Sequence, residues 1–180
     1  MEFTITQDFP CALARLWTVF GQRRYPRQKY LALGATGLRL QRFNADSTRI
    51  EVALERDVAL DARALPPWAR PWAKPCQTLR HTSLWRRVGP ARAEAELDVQ
   101  PLGLPVRAHA SGALEPLPGG GTRMTLRWRV RSPVPVLGRR LEQLFAAQLR
   151  AALEEDHRFT LDYLRRAAGQ RQGARQPLAP

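Results

Sequence analysis

Hydrophobic and polar residues alternate along most of the chain with a period of two, which is typical of strands that bury one face. Each of these segments keeps one polar face, as the strands of an antiparallel sheet can do. Turn signals at residues 44–46 and 119–121 separate some of them. The alternation predicts strands over residues 2–9, from 38 to about 43, around 49–55, and over 77–88, 91–99, 106–116 and 122–131.

Apolar residues recur at helical spacing in three other segments. Two short helices are predicted, one from Pro10 to Gly21 and one over residues 25–33. The third segment, Val134–Leu164, is far longer, and Pro135 suits the first turn of its helix. One side of this predicted helix is apolar except for Asp156. The apolar stripe on that side consists of Leu141, Phe145, Leu149, Ala152, Phe159 and Tyr163.

The order of elements predicts an α+β fold of the form β-α-α-β6-α. Only the last helix is long enough to cover the apolar face of a sheet, so we expect a curved antiparallel sheet of about seven strands wrapped around it. Residues 1–167 are predicted to form a single domain, and residues 168–180 a flexible basic tail. Residues 59–75 are predicted to form a loop, whose Trp68 and Trp72 either fold over a cavity or leave it open.

Small residues on the inward side of two strands predict a cavity beneath the long helix. Ala95, Ala108 and Ala110 leave space there, and large aromatic residues can form its walls, which favours a small-molecule site. Alternatively, the alanines only let the helix lie close to the sheet. The predicted lining consists of Trp17, Leu54, Trp85, Ala95, Leu97, Ala108, Ala110, Leu126, Trp128, Phe145, Gln148, Leu149, Ala152 and Asp156.

Two polar residues are candidates for chemistry in such a cavity. A carboxylate on an apolar helix face must be paired, so Asp156 is either a polar anchor or general base in the cavity, or a rim residue satisfied by an Arg or a backbone amide. His81 faces inward if it shares the parity of Leu79 and Trp85. It would then form an acid–base pair with Asp156; otherwise it is a packed or exposed histidine.

The net charge of +13 raises the question of an anionic partner. The basic residues are 27 Arg and 2 Lys spread over the whole chain, which favours a compositional bias over a nucleic-acid interface. The outward row Arg123, Arg127, Arg129 and Arg131 is the best candidate for such an interface, but it lacks interleaved aromatic residues. Pairing with Glu94, Glu96 and Asp98 explains the row equally well if their strands are adjacent.

The remaining composition predicts a cytoplasmic protein without a metal or cofactor. Cys11 and Cys76 are far apart and match no disulfide framework or metal-ligand spacing. The first residues do not resemble a signal peptide, and no run of apolar residues reaches the roughly 18 needed to span a membrane.

Residues 103–149 carry a resemblance to a known superfamily. The stretch GLPVRAHASGALEPLPGGGTRMTLRWRVRSPVPVLGRRLEQLFAAQL contains a Gly-x-Pro-Val strand, a Gly-rich hairpin and a Val-Pro-φ-φ-Gly-x-x-φ-Glu helix start. It resembles an uncharacterised bacterial family within the SRPBCC superfamily, the helix-grip fold of START lipid-transfer domains, birch-pollen-allergen-like proteins and polyketide cyclases. The resemblance covers residues 2–166 and implies an apolar or amphipathic ligand under the long helix.

Three functions remain open from the sequence. The first is binding of a hydrophobic or amphipathic molecule, such as a lipid, polyketide or quinone, by a carrier or sensor. The second is a cyclase, aromatase or hydrolase on the same fold, in which His81 and Asp156 transfer protons. The third is a basic protein that binds nucleic acid, an anionic membrane or an acidic protein partner, with affinity that falls steeply with salt.

Overall fold

The computed structural model describes residues 1–59, 63, 65–72 and 74–173, except for the side chains of residues 71, 72 and 168–173. Its helices are α1 (Leu13–Phe20), α2 (Arg24–Ala32) and α3 (Gly138–Gly173). A 3₁₀ turn, Pro67–Trp72, lies in the predicted loop. The strands are β1 (Glu2–Phe9), β2 (Ala35–Ala45), β3 (Arg49–Ala59), β4 (Cys76–Arg87), β5 (Ala93–Pro101), β6 (Arg107–Pro116) and β7 (Thr122–Arg131).

All seven strands form one antiparallel sheet in the order β1-β7-β6-β5-β4-β3-β2. The helices α1 and α2 connect its two edge strands, and α3 follows β7. The predicted α+β class, the number of strands and their order along the chain are therefore confirmed. The alternation that predicted β7 appears in its burial, because buried Met124, Leu126, Trp128 and Val130 alternate with four exposed arginines and half-buried Thr125.

The long helix begins later than its sequence predicted. Residues 135–137 form a turn in which exposed Val136 has a φ of 65°, so α3 begins at Gly138 and not at Pro135. A Cβ on Gly138 would lie 2.9 Å from the carbonyl oxygen of Ser132, so the missing side chain allows this close approach. The helix continues to Gly173, and the rest of the predicted tail, 174–180, lies outside the described residues.

The position of α3 over the sheet leaves room for a cavity. It packs chiefly against β7, β1 and α2 rather than across the whole sheet as its length suggested. The inner faces of β3, β4 and β5 are therefore left to form the wall of the space described below. Within the described residues, no helix is both long enough and apolar enough to cross a membrane.

Many arginines on the outer face of the sheet form ion pairs with carboxylates of neighbouring strands. Arg123 contacts Asp8 at 2.8 Å, and both Arg129 and Arg131 contact Glu2. The predicted partners of this row are wrong, because β6 separates β7 from β5, and Asp98 contacts Arg107 instead. Exposed pairs of this kind contribute little stability, but they give these arginines a structural partner.

Gly112→Ala provides a test of the close approach between β6 and β7. A Cβ on Gly112 would overlap the carbonyl oxygen of Thr125 and lie 2.9 Å from the Cα of Leu126. Because the obstacle is backbone, we expect the substitution to lower the free energy of unfolding by about 2–3 kcal/mol in urea denaturation. Gly89→Ala is the control, because a Cβ there would meet only Arg92 at 3.9 Å. Equal stabilities of the two variants would contradict the packing of this strand pair.

Candidate functional site

A cavity of about 310 Å³ lies between the inner face of the sheet and the helices α2 and α3. Aromatic and aliphatic side chains from β3, β4, β5, β7 and α3 form most of its wall. The predicted residues that line it are Leu54, His81, Trp85, Leu97, Leu126, Trp128, Phe145, Gln148, Leu149, Ala152 and Asp156.

Two lining residues of α3 are exposed to solvent and indicate where the cavity opens. Gln148 and Glu155 both line the cavity and are exposed, with Ala152 half-buried between them. Trp68 is half-buried in the 3₁₀ turn, and the side chain of Trp72 lies outside the described residues. The opening that the described residues show is thus along one side of α3.

Four of the predicted lining residues do not line the cavity in the described structure. Ala108 and Ala110 have no exposed surface, because Ala110 lies in register between Leu97 and Trp128 and these larger neighbours cover it. Ala95 lies in the same way beside Trp85. The alanines therefore make room for large side chains on the same face. The sequence had suggested two other roles for them, which were to leave space for a cavity or to let the helix lie close to the sheet. The corrected residues are Trp17, Ala95, Ala108 and Ala110.

Trp17 has a structural role outside the cavity. Its indole Nε1 donates a hydrogen bond of 2.8 Å to the backbone oxygen of Asp46, at the turn between β2 and β3. The guanidinium of Arg87 lies 5.1 Å from its ring centroid. Trp17 therefore fixes α1 to one end of the sheet.

Asp156 binds a lysine of α2. Its Oδ2 lies 2.9 Å from the Nζ of Lys29, with 25% and 13% of the two side chains exposed. The partner is neither the Arg nor the backbone amide that the sequence suggested. Burial disfavours the charged lysine, but Asp156, Tyr30 and Tyr25 together outweigh burial, so the pKa of Lys29 is raised. The carboxylate in the apolar stripe therefore neutralises a buried cation.

Four residues from three elements form a cationic cluster at the α2 end of the cavity: Lys29 and Tyr30 from α2, Arg56 from β3 and His81 from β4. The ring of Tyr30 lies at its centre, 4.6 Å from Lys29 Nζ and 4.3 Å from Arg56 Cζ. The ring of His81 meets that of Tyr30 at a centroid distance of 6.0 Å. Cations close to an aromatic face are attracted by its quadrupole, so Tyr30 holds both charges in place.

His81 faces the cavity, but its surroundings oppose protonation. Burial, then the positive charges of Lys29 and Arg56, lower the pKa of His81 to about 3. In the described structure no hydrogen bond or ion pair joins it to Asp156, whose oxygen is held by Lys29. The two predicted candidates line the same cavity without forming the acid–base pair.

Arg56 and Lys29 are site residues that the sequence reasoning missed. On β3 the inward positions are Ile50, Val52, Leu54, Arg56 and Val58, so an arginine interrupts an apolar row. The alternation of β3 therefore indicates that Arg56 faces inward, but in a chain with 27 arginines this single position did not stand out. Lys29 is one of only two lysines in the chain, but its contact with Asp156 depends on tertiary structure.

The described residues show no site of the kind that holds a metal. Among them, no three His, Cys, Asp or Glu side chains are grouped closely enough to hold an ion. Cys11 is buried and Cys76 exposed, and both are free thiols. What the site offers chemically is an apolar wall with positive charge at one end.

Sequence comparison places the chain among proteins without an assigned activity. A family described as "Protein of unknown function (DUF2505)" matches residues 4–164. Uncharacterized proteins of Mycobacterium tuberculosis and Mycobacterium bovis are 31% identical over 84 residues, which cover 46% of this chain and 48% of theirs. The chain thus matches about half the length of these curated relatives.

Solved structures share the helix-grip fold that the resemblance implied. A START superfamily protein from Mycobacterium smegmatis matches with a TM-score of 0.52 at 13% identity, over 91% of this chain and 98% of that one. The Zhui aromatase/cyclase from Streptomyces sp. R1128 matches at 0.57 and 12%, over 93% and 95%. Ara h 8.0201 matches at 0.57 and 11%, over 90% and 98%. At these identities the similarity shows the fold alone.

Removing the charge of Asp156 tests its pairing with Lys29. Asp156→Asn leaves a buried ammonium without its carboxylate, so we expect the free energy of unfolding to fall by about 2 kcal/mol in urea denaturation. Adding Lys29→Met should restore much of the loss, because it removes the unpaired charge. Glu154→Gln, an exposed position of α3, is the control and should have little effect. An equally small effect of Asp156→Asn would show that the pair contributes nothing.

The pH dependence of stability tests the environment of His81. A histidine whose pKa is lowered on folding stabilises the protein fully above its unfolded value near 6.5, and the contribution is lost as the pH falls below that value. From pH 7.5 to 5 we expect His81 to reduce the free energy of unfolding by up to about 2 kcal/mol. His81→Gln should remove this slope, whereas His109→Gln, on the exposed outer face, should retain it. A slope unchanged in His81→Gln would refute the assignment.

Proposed function

The chain belongs to the DUF2505 family, and we propose that it binds a hydrophobic or amphipathic small molecule in the cavity between the sheet and α3, as a carrier or sensor. The observation that carries this proposal is the cavity itself. Its volume lies at the lower end of the range of about 300–1,000 Å³ typical of ligand sites.

The composition of the cavity wall supports binding of an apolar body. Trp85, Leu97, Leu126 and Trp128 present a continuous apolar surface on the sheet side, and Phe145 faces them from α3. The charged groups Lys29, Arg56 and Asp156 are concentrated at the α2 end. Ligand sites commonly combine an apolar wall with a few placed polar groups, which fix the orientation of the ligand.

The enzyme alternative has less support. One protein with the same fold is an aromatase/cyclase, but fold similarity alone does not transfer an activity. Proton transfer by His81 and Asp156 would need an ionisable pair. Lys29 neutralises Asp156, and the neighbouring cations disfavour the imidazolium that a histidine base must form. The same residues suit binding without turnover.

The alternative of an anionic macromolecular partner rests on the net charge. Carboxylates of neighbouring strands contact several outer arginines, among them Arg123, Arg129 and Arg107. This distribution favours a solvated, self-paired surface over a nucleic-acid interface.

Two further expectations from the sequence stay predictions. They are a single domain over residues 1–167 and a cytoplasmic location.

A cavity-filling substitution tests the proposed function. The neutral fluorophore N-phenyl-1-naphthylamine should bind the wild-type protein saturably, with enhanced fluorescence and little dependence on salt. Ala152→Phe places a ring in the cavity, so we expect its affinity for the probe to fall by about tenfold or more.

The neighbouring residue provides the matched control. Ala151 is exposed on α3, so Ala151→Phe should bind the probe like the wild type. Absence of saturable binding to the wild type, or equal loss in both variants, would contradict a ligand cavity at this position.

A further inference from the structure

We propose that the ligand of this cavity carries a single oxyanion, such as a carboxylate, which binds Arg56 while its apolar body lies against the cavity wall. This inference rests on the proposed function, because it names the chemical class of the molecule bound there. It follows from the position and the unmet hydrogen-bonding capacity of one inward arginine.

Arg56 lies where an apolar residue would be expected. It shares its face of β3 with Leu54 and Val58, and all three line the cavity. Arg56 as a whole is half-buried, and its buried Nε has no hydrogen-bond partner among the described residues. Among the described residues, no carboxylate lies within 4.0 Å of its guanidinium nitrogens. A buried charge without a counter-charge is costly, and a bound anion would remove that cost.

The charges around Arg56 do not supply this anion. Asp156 is held by Lys29 at 2.9 Å, so that pair is neutral as a unit. His81 is uncharged at physiological pH because burial and its two cationic neighbours lower its pKa to about 3. Glu155 also lines the cavity but is exposed at its opening. Among the described residues, the inner part of the cluster therefore has one uncompensated positive charge, which fits a monoanion.

The geometry of Arg56 leaves its donors available. Its Cζ lies 4.3 Å from the centroid of Tyr30, and this cation–π contact does not require any N–H group of the guanidinium plane as a hydrogen-bond donor. The N–H groups lie at the edge of that plane, where they form a fork that matches the two oxygens of a carboxylate. Tyr30 thus positions the arginine without consuming its hydrogen bonds.

The rest of the cavity fits the apolar part of such a molecule. In register across the sheet, Arg56 lies beside Leu79, and the apolar wall extends from there towards Trp85 and Trp128. A ligand with its acid at Arg56 would place its hydrocarbon along this wall. The arrangement favours a compact amphipathic acid over a neutral lipid or an inorganic anion.

Displacement of N-phenyl-1-naphthylamine by a matched pair of compounds tests the inference. Decanoate and decan-1-ol have the same chain length and differ in the charge of the head group. We expect decanoate to displace the probe from the wild type at a concentration about tenfold lower than the alcohol, because hydrogen bonds to charged groups are the stronger ones. Equal potency, or a preference for the alcohol, would overturn the proposal.

Arg56→Met assigns the preference to this residue. It keeps the length of the side chain and removes the charge, so the neutral probe should still bind while the preference for decanoate disappears. Arg49→Met is the control, because Arg49 is an exposed outward residue of the same strand and should leave the preference intact. A preference that persists in Arg56→Met would place the anion elsewhere.

A readout on the unmodified protein covers the case in which Arg56→Met does not fold. At pH 7 decanoate is charged and His81 is neutral, so an anion bound to Arg56 changes the electric field at the neighbouring His81 ring. Saturating decanoate should therefore shift the NMR resonances of the His81 ring more than saturating decan-1-ol does. The spectrum of His81→Gln identifies the resonances. Equal shifts with the two compounds would refute the inference. If the neutral probe binds but the decanoate tests fail, only this inference is lost; if the probe does not bind, the proposed function is lost as well.

Discussion

The ion pair between Lys29 and Asp156 joins the two helices that close the cavity. Taking two charges out of water costs free energy, which is recovered only when they meet in good geometry. The pair therefore couples the position of α2 to that of α3. Neighbouring contacts act in the same direction, because Tyr25 shares a hydrogen bond of 2.7 Å with Thr160, and Tyr163 donates one of 3.1 Å to Gln22.

This coupling gives the cavity two chemically different ends. Tyr30 follows Lys29 in α2, so the ion pair of Lys29 also fixes the position of the Tyr30 ring. That ring contacts Arg56 on β3 and His81 on β4. The rest of the described wall has no comparable group of charges and consists mostly of aromatic and aliphatic side chains, with a few neutral polar ones such as Gln7 and Ser83. An asymmetric cavity of this kind orients an amphipathic molecule, because only one end compensates a charge.

The positive charge of the chain divides into two parts with different physical meaning. On the outer sheet face, Arg123, Arg129 and Arg107 contact carboxylates on neighbouring strands and remain solvated, so they cost little. Arg56 lies inside with no described carboxylate at its guanidinium. Each of these four arginines adds equally to the net charge, but only Arg56 bears on the proposed ligand.

The sequence by itself determined the seven strands, their order along the chain, the long helix and most inward positions, because a period of two or of 3.6 assigns a side chain to a face. It placed Asp156 on the inner side for the same reason, and His81 on the condition that it shares the parity of Leu79 and Trp85. It did not determine that β1 pairs with β7, that Asp156 meets Lys29, or that Trp128 covers Ala110. Those facts depend on neighbours distant in the sequence, and periodicity gives the face of a residue but not the residue that it meets there. Only the tertiary structure therefore decided that Lys29, Arg56 and His81 surround one tyrosine.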